Sequence, residues 1–259
     1  NRRSTSVVIG LDKTPPDVGG STSPSPNENG WNNGPVTVTF AATDALSGVV
    51  AESVTPSVTL SNDGANQAAM GEATDFAGNL GSFTITSINI DQEKPTIIVA
   101  LTPEPNVNGW NNGPVTAVFT CADSLSGIVA CTPDQEITTE GVNLTVPGSA
   151  TDRAGNVAFV TSAAFSIDAA PPTITADAVP HANGAGWNNT DVTVTFNCAD
   201  EASGISSCPA PVIVSEEGAG QVVTGSATDN AGNTASTTIT LSVDKSPPVV
   251  VFASAPPSS

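Results

Sequence analysis

The stretch GWNNGPVTVTFAATDALSG at residues 30–48 decides the fold, because close copies of it recur at residues 109–127 and 186–204. One tryptophan marks each copy, at steps of 79 and then 77 residues: Trp31, Trp110 and Trp187. A nearly constant period of this size is typical of a chain built from repeated small domains. The sequence therefore predicts three copies of one module.

Short runs rich in Val, Ile and Thr fill each copy, and several of them alternate apolar with polar residues. In the third copy these runs are ITADAV, VTVTFNCA, ISSC, VIVS, QVVTGSAT and TASTTITLSV. This alternation is typical of strands with one solvated face, and turns rich in Asn, Asp and Gly separate the runs. We therefore expect an all-β fold, with six or seven strands per copy arranged as a β-sandwich, and the copies following one another in a linear array.

The repeated landmarks also set the expected boundaries. An aspartate before a proline-containing link closes each copy, at Asp12, Asp91, Asp168 and Asp244. We expect the last strand of a preceding repeat at 1–12, a first strand of a following repeat at 245–259, and three complete repeats between them, at 13–91, 92–168 and 169–244.

Composition excludes several classes of function. The chain has 25 acidic and 6 basic residues and a formal charge of −19, which argues against binding to nucleic acid. It has no apolar run long enough to span a membrane. With a single histidine, no repeated Ser/His or Cys/His arrangement and no phosphate-binding loop, we expect no enzymatic activity and no catalytic residues.

The four cysteines form two pairs, each ten residues apart around the D-x-x-S-G turn: Cys121 with Cys131, and Cys198 with Cys208. A zinc site is the competing interpretation, but the chain has no C-x-x-C pair and its one histidine lies in a single repeat. We predict two disulfides, each stabilising its repeat by roughly 3 kcal/mol. Disulfides imply export, so the expected location is secreted or at the cell surface.

The motif GW-N-x-x-V-T-V-T-F, followed by G-S-A-T-D-N-A-G-N and V-D-K-S-P-P, resembles the immunoglobulin-like repeats of large bacterial secreted and surface proteins, such as adhesins. The resemblance covers essentially the whole chain. It implies a β-sandwich that serves as a stalk, spacer or adhesive segment, and it implies no particular ligand. The first copy departs from the pattern, because it has Ala42 and Glu52 at the cysteine positions and a longer connection, SPSPNENGWNN.

Aspartates recur at three places in every copy. In an immunoglobulin-like sandwich, strands B and F both end at the pole to which the preceding domain attaches, so three carboxylates should meet there. Oxygen ligands of this kind suit calcium. The predicted calcium sites, one per repeat, are Asp12, Asp44 and Asp75; Asp91, Asp123 and Asp152; and Asp168, Asp200 and Asp229.

A second interpretation of these aspartates needs no metal. Asp at the first position of a turn caps backbone N–H groups by itself, and the paired prolines of the links could stiffen them. Lys13, Lys94 and Lys245 would then offset part of the charge. Both interpretations stay open at the level of sequence.

The aromatic residues have comparable alternatives. The three tryptophans could form sugar-binding platforms, or they could pack in the core or within their own loops. Phe40, Phe119 and Phe196 end the same predicted strand in each copy, and we expect them in the core.

The expected function is an extracellular repeat array that forms a semi-rigid stalk, an adhesin shaft or a surface filament. The alternative is a set of carbohydrate- or protein-binding accessory modules of a secreted enzyme. The expected partners are neighbouring repeats of the same array, other subunits of a filament, or a ligand on a host or other surface.

Overall fold

The computed structural model describes residues 5–7 and 9–251. These residues form strands β1 to β20 and one short 3-10 helix, Ala51–Ser53, so the predicted all-β class is confirmed. Within these ranges no helix has the length and apolar character of a membrane span.

The chain divides into two compact units. The first comprises residues 1–100, 118–134 and 146–162, and the second comprises residues 101–117, 135–145 and 163–259. The division passes through the second sequence repeat. The repeat boundaries given above stay predictions.

The first repeat lies wholly in the first unit and has two antiparallel sheets. One sheet has the strand order β1-β2-β3 and the other pairs β4 with β5. These strands are β1 (Asp17–Ser23), β2 (Val36–Thr43), β3 (Val58–Leu60), β4 (Gly64–Thr74) and β5 (Leu80–Ile90).

The second repeat contributes strands to both units. They are β6 (Thr96–Thr102), β7 (Trp110–Asn111), β8 (Val115–Ala122), β9 (Ile128–Cys131), β10 (Gln135–Ile137), β11 (Gly141–Leu144), β12 (Pro147–Asp152), β13 (Val157–Thr161) and β14 (Phe165–Ile167). The first unit contains the sheet β13-β12-β9, and the second unit contains the sheet β11-β14-β7, in which β14 and β7 are parallel.

The third repeat lies in the second unit and contains all six strands predicted for it. Its sheets have the orders β15-β16-β18 and β17-β19-β20, with antiparallel neighbours throughout. The strands are β15 (Thr173–Val179), β16 (Val192–Ala199), β17 (Ile205–Ser207), β18 (Val212–Val214), β19 (Gly218–Asp229) and β20 (Thr234–Val243).

The core of the first repeat lies between its two sheets, which makes it a sandwich. Val36, Val38 and Phe40 alternate on β2 and are buried. They form one cluster with residues of the opposite sheet, Ala69, Ile88 and Ile90. The third repeat repeats this arrangement with Val192, Val194, Val214, Leu241 and Val243.

A glycine on the facing sheet makes room for the phenylalanine of each repeat. A Cβ atom at that glycine would lie 2.2–2.3 Å from the aromatic ring, closer than side-chain atoms approach, in the pairs Gly71 with Phe40, Gly148 with Phe119 and Gly225 with Phe196. Phe40 and Phe119 are buried, and Phe196 packs against the core of the third repeat. The prediction that these phenylalanines are core residues is confirmed.

Both predicted disulfides are present, Cys121 with Cys131 and Cys198 with Cys208. Each disulfide joins the second long strand of its repeat to the short strand that follows. Cys131 is the last residue of β9, and Cys208 directly follows β17. In the first repeat, which has no cysteines, the 3-10 helix Ala51–Ser53 occupies this place.

The predicted terminal strands lie partly outside the described residues. The described parts, residues 5–7, 9–12 and 245–251, are irregular. The assignments of 1–12 and 245–259 stay predictions.

Candidate metal centres

The structure brings together each of the three predicted sets of aspartates. One aspartate comes from the link before the repeat, one follows the second long strand, and one stands at the end of the strand that precedes the D-x-A-G-N turn. Within each set, one carboxylate oxygen per residue lies within 4.8 Å of the others. The sets are cluster 1 (Asp12, Asp44, Asp75), cluster 2 (Asp91, Asp123, Asp152) and cluster 3 (Asp168, Asp200, Asp229).

The D-x-x-S-G turn folds around its aspartate. In cluster 2, Oδ1 of Asp123 accepts hydrogen bonds from the amides of Leu125 at 3.1 Å and Gly127 at 2.7 Å. Gly127 has a φ of 83°, a left-handed conformation that favours glycine. The turn hypothesis is therefore correct for local structure. Since the hydrogen bonds that Asp123 accepts from described residues end on Oδ1, its Oδ2 can serve a metal ion as well.

The D-x-A-G-N turn is built in a similar way and also reaches the link. Oδ1 of Asp152 accepts the amides of Gly155 at 2.7 Å and Asn156 at 2.8 Å. The side-chain amide of Asn156 donates to Oδ2 of Asp152 at 2.8 Å and to the carbonyl of Asp91 at 2.9 Å. The final asparagine therefore ties the turn to the link.

The link aspartate completes this network. Oδ2 of Asp91 accepts the amide of Ser126 in the D-x-x-S-G turn at 3.1 Å, and Asp168 accepts that of Ser203 at the same distance. Each carboxylate of the cluster is thus positioned by main-chain donors before any ion is considered.

Burial distinguishes the clusters. Asp152, Asp229 and Asp75, which are the first residues of the D-x-A-G-N turns, are all buried. The link aspartates differ: Asp91 and Asp168 are 0 % exposed, whereas Asp12 is only half-buried.

Hydrogen bonding keeps two of the carboxylates of cluster 1, Asp12 and Asp75, charged. A hydrogen bond from the amide of Thr14, and then hydrogen bonds from Ser47, hold the pKa of Asp12 below its ordinary value. Burial acts to raise the pKa of Asp75, but hydrogen bonds from Asn79 and the rest of its turn outweigh burial, so this pKa is also lowered. Both groups are anions at neutral pH.

No basic side chain in the described residues forms an ion pair with a cluster aspartate. The two ion pairs found there join Lys245 to Asp191 at 2.9 Å and His181 to Asp177 at 4.0 Å. Two carboxylates of a cluster, whose oxygens lie within 4.8 Å of each other, repel by roughly 3 kcal/mol at an effective dielectric constant of about 20. A bound cation would therefore stabilise clusters 2 and 3, which are the more buried. Each residue offers one carboxylate oxygen, so a cluster supplies three hard oxygen ligands of the kind that calcium prefers.

A contact between repeats adjoins clusters 2 and 3. Within the first unit, the side-chain amides of Asn27 and Asn29 donate to the carbonyl of Arg153 at 2.8 and 3.2 Å. Within the second unit, Asn106 and Asn108 make the equivalent bonds to Asn230, at 2.9 and 3.2 Å. The Asn-x-Asn-Gly-Trp loop of one repeat thus contacts the D-x-A-G-N turn of the next.

The tryptophans belong to these loops. Trp31 and Trp110 are half-buried and Trp187 is 38 % exposed. The amide of Trp31 donates to Oδ1 of Asn27 at 3.1 Å, and its carbonyl accepts the amide of Asn27 at 2.8 Å. The backbone of the tryptophan therefore helps to close the loop. Sugar binding by the indole rings stays an untested alternative.

No protein-family model and no curated protein matches the chain. Among solved structures, one from a 1.5-MDa bacterial ice-binding adhesin is 15 % identical with a TM-score of 0.38, covering 90 % of this chain and 99 % of the other. One from a Ca2+-stabilized adhesin of an Antarctic bacterium is 14 % identical with a TM-score of 0.34, covering 90 % and 75 %. Both TM-scores are too low to support an inference about this chain.

Proposed function

We propose that this chain is part of an extracellular stalk, adhesin shaft or surface filament in which calcium, held by the three aspartate clusters, stiffens the joints between immunoglobulin-like repeats. The observation that carries the proposal is the position of clusters 2 and 3. Each cluster joins a buried link aspartate to two turns, and the loop of the preceding repeat contacts one of those turns. Aspartates that share an ion there would fix the link to both turns.

The strand arrangement supports the immunoglobulin-like part of the proposal. In the third repeat, the first, second and fourth strands form one sheet and the third, fifth and sixth form the other. An immunoglobulin sandwich divides strands A, B and E from C, F and G in the same way. The second strand ends at Ala199, directly before Asp200, and the fifth strand ends at Asp229, so each places one aspartate of cluster 3.

The two disulfides support an extracellular location, since such bonds persist in oxidising compartments. The same aspartate cluster recurs once in each of the three repeats. Such recurrence fits a structural role at the links between repeats, without catalysis. Neighbouring repeats are then the first partners, and a host or surface ligand would be bound elsewhere in the assembly.

Thermal unfolding in calcium and in EGTA tests the proposal. With calcium at ten times its dissociation constant, binding stabilises a repeat by about 1.4 kcal/mol, so chelation should lower the melting temperature by about 5 °C or more. In calcium, Asp200→Asn should destabilise the third repeat, because a ligand is lost. In EGTA the same variant should stabilise it, because one of three repelling charges is removed.

Glu201→Gln is the matched control for this experiment. It removes one charge from the neighbouring, exposed residue outside the cluster, so its small effect should be the same in both buffers. If EGTA leaves the melting temperature unchanged and Asp200→Asn has the same effect in both buffers, the aspartates serve only their turns.

A further inference from the structure

The D-x-A-G-N turn of the first repeat differs from the other two in exposure. Ala154 and Ala231, at the third position of their turns, are each 4 % exposed beneath the loop of the preceding repeat. The equivalent Ala77 is exposed, and the adjacent Phe76 is 73 % exposed. Within the described residues, no Asn-x-Asn-Gly-Trp loop covers this first turn.

The contact on the covered turns is made to the main chain. The acceptors are the carbonyls of Arg153 in one turn and of Asn230 and Ala231 in the other. Because arginine and asparagine serve equally at the same position, the loop recognises the course of the backbone and not a particular side chain.

The first turn has that backbone course. The amide of Asp75 donates to the carbonyl of Asn79 at 3.1 Å, as Asp152 does to Asn156 at the same distance. Gly78 has a φ of 89°, close to the 97° of Gly155. A Cβ atom at Gly155 would lie 3.9 Å from the side-chain nitrogen of Asn33 in the preceding repeat, whereas one at Gly78 would meet open space.

The equivalent loop of the third repeat, residues 183–187, has Ala185 in place of the second asparagine. It is also formed, although no turn lies against it in the described residues. Oδ1 of Asn183 accepts the amides of Ala185 at 2.9 Å and Trp187 at 3.1 Å, as Oδ1 of Asn27 does in the first repeat. Both the loop and the turn therefore exist in their contact conformations without each other.

We propose that the exposed turn Asp75–Asn79 is a docking surface for the Asn-x-Asn-Gly-Trp loop of another copy of this module. The side-chain amide of the loop's first asparagine donates to the carbonyls of Phe76 and Ala77. The occupant is a copy of the module because this loop covers both equivalent turns of the chain. Two preformed parts lose little conformational entropy on docking. The proposal goes beyond the proposed function, since it requires no metal ion.

One loop on one turn is a small interface, so separate chains would associate weakly, and the test should join the two parts covalently. Residues 1–244 followed directly by residues 13–259 give such a chain, because Asp244 and Asp12 hold equivalent places before a Lys-x-Pro-Pro link. The join places the Asn183 loop of the upstream copy before the turn of the downstream copy. The upstream turn remains exposed as an internal control.

Ala77→Cys, introduced in one copy at a time, reports on this surface by its rate of reaction with a maleimide, measured in calcium. The described cysteines are all in disulfides, so the new thiol is the reactive one. We expect the downstream thiol to react at least about tenfold more slowly than the upstream thiol, as for a group exposed only by local opening. Asn183→Asp in the upstream copy should abolish the difference, and Ala185→Asn, which restores the second asparagine, should increase it.

Equal rates in the two copies would overturn the proposal, and so would a difference that Asn183→Asp leaves unchanged. Hydrogen exchange of the unsubstituted joined chain gives the same answer if the cysteine variants fail to fold. The peptide covering residues 74–80 should exchange as one population in the parent chain and as two in the joined chain. A single fast population in both would contradict docking.

Discussion

The first and second repeats build the same aspartate cluster and the same turns, but of the two only the second has a neighbour's loop on its D-x-A-G-N turn in the described part of the chain. Asp12 is half-buried and Ala77 exposed in the first repeat, whereas Asp91 is 0 % and Ala154 4 % exposed in the second. The arrangement of the carboxylates is therefore a property of each repeat. The burial of the site accompanies the preceding repeat.

The two repeats also differ in how the strand before the cluster is tied. The second repeat has a disulfide between Cys121 and Cys131, and the first has Ala42 and the 3-10 helix Ala51–Ser53 at the corresponding places. In the described residues, the first repeat therefore has neither a disulfide nor a neighbour's loop on its turn, although its core has the same design.

The largest expected difference between the repeats comes from reducing the disulfides. Reduction should lower the free energy of unfolding of the second and third repeats by about 3 kcal/mol each, because the unfolded chain gains conformational entropy when the cross-link is removed. It should leave the free energy of unfolding of the first repeat unchanged. Calorimetry with and without dithiothreitol measures this, because the stabilities of repeats add approximately. A first repeat that loses as much as the others would break the comparison.

Substitution of the glycines that face the phenylalanines should, unlike reduction, lower the free energy of unfolding equally in all three repeats. Gly71→Ala, Gly148→Ala and Gly225→Ala would each place a methyl group inside an aromatic ring's contact distance and should cost about 2 kcal/mol by overpacking. Urea unfolding checks this. Gly34→Ala, where a Cβ atom would meet open space, is the control and should change stability by less than about 0.5 kcal/mol.

A smaller difference in unfolding free energy is expected between substitutions in a loop that contacts the next repeat and the same substitution in the loop of the third repeat. Asn27→Asp keeps the acceptor Oδ1 that closes the loop but removes the donor to Arg153, and should cost about 1 kcal/mol. Asn183→Asp makes the same change in a loop that contacts no described turn, and its effect should be well below that. Equal losses of unfolding free energy would show that the asparagine matters only inside its own loop.

Much of the fold and of the site follows from local sequence. The six strands of the third repeat were predictable because alternation and turn residues are local signals. The convergence of Asp168, Asp200 and Asp229 also required the sandwich topology, which places two strand ends at one pole. Disulfide pairing followed from the ten-residue spacing together with the arguments against a zinc site, namely no C-x-x-C pair and a single histidine.

The contacts that sequence reasoning missed are the ones between distant segments. Asn156 bonds the carbonyl of Asp91, 65 residues away, and Asn27 bonds Arg153, 126 residues away. Neither spacing reflects a helix or strand period, so only their recurrence in the copies could have indicated them. Lys245, which the metal-free interpretation used to offset charge at the links, contacts Asp191 at 2.9 Å, a residue outside the three clusters.

The central claim is that the three aspartate clusters bind calcium. Isothermal titration of the calcium-free chain with calcium chloride tests it directly. We expect three ions per chain, and two after Asp123→Asn, which keeps the Oδ1 acceptor of its turn but removes one carboxylate from cluster 2. No binding at millimolar calcium, the weak end of the range for extracellular sites, or an unchanged number of ions in the variant would contradict the account.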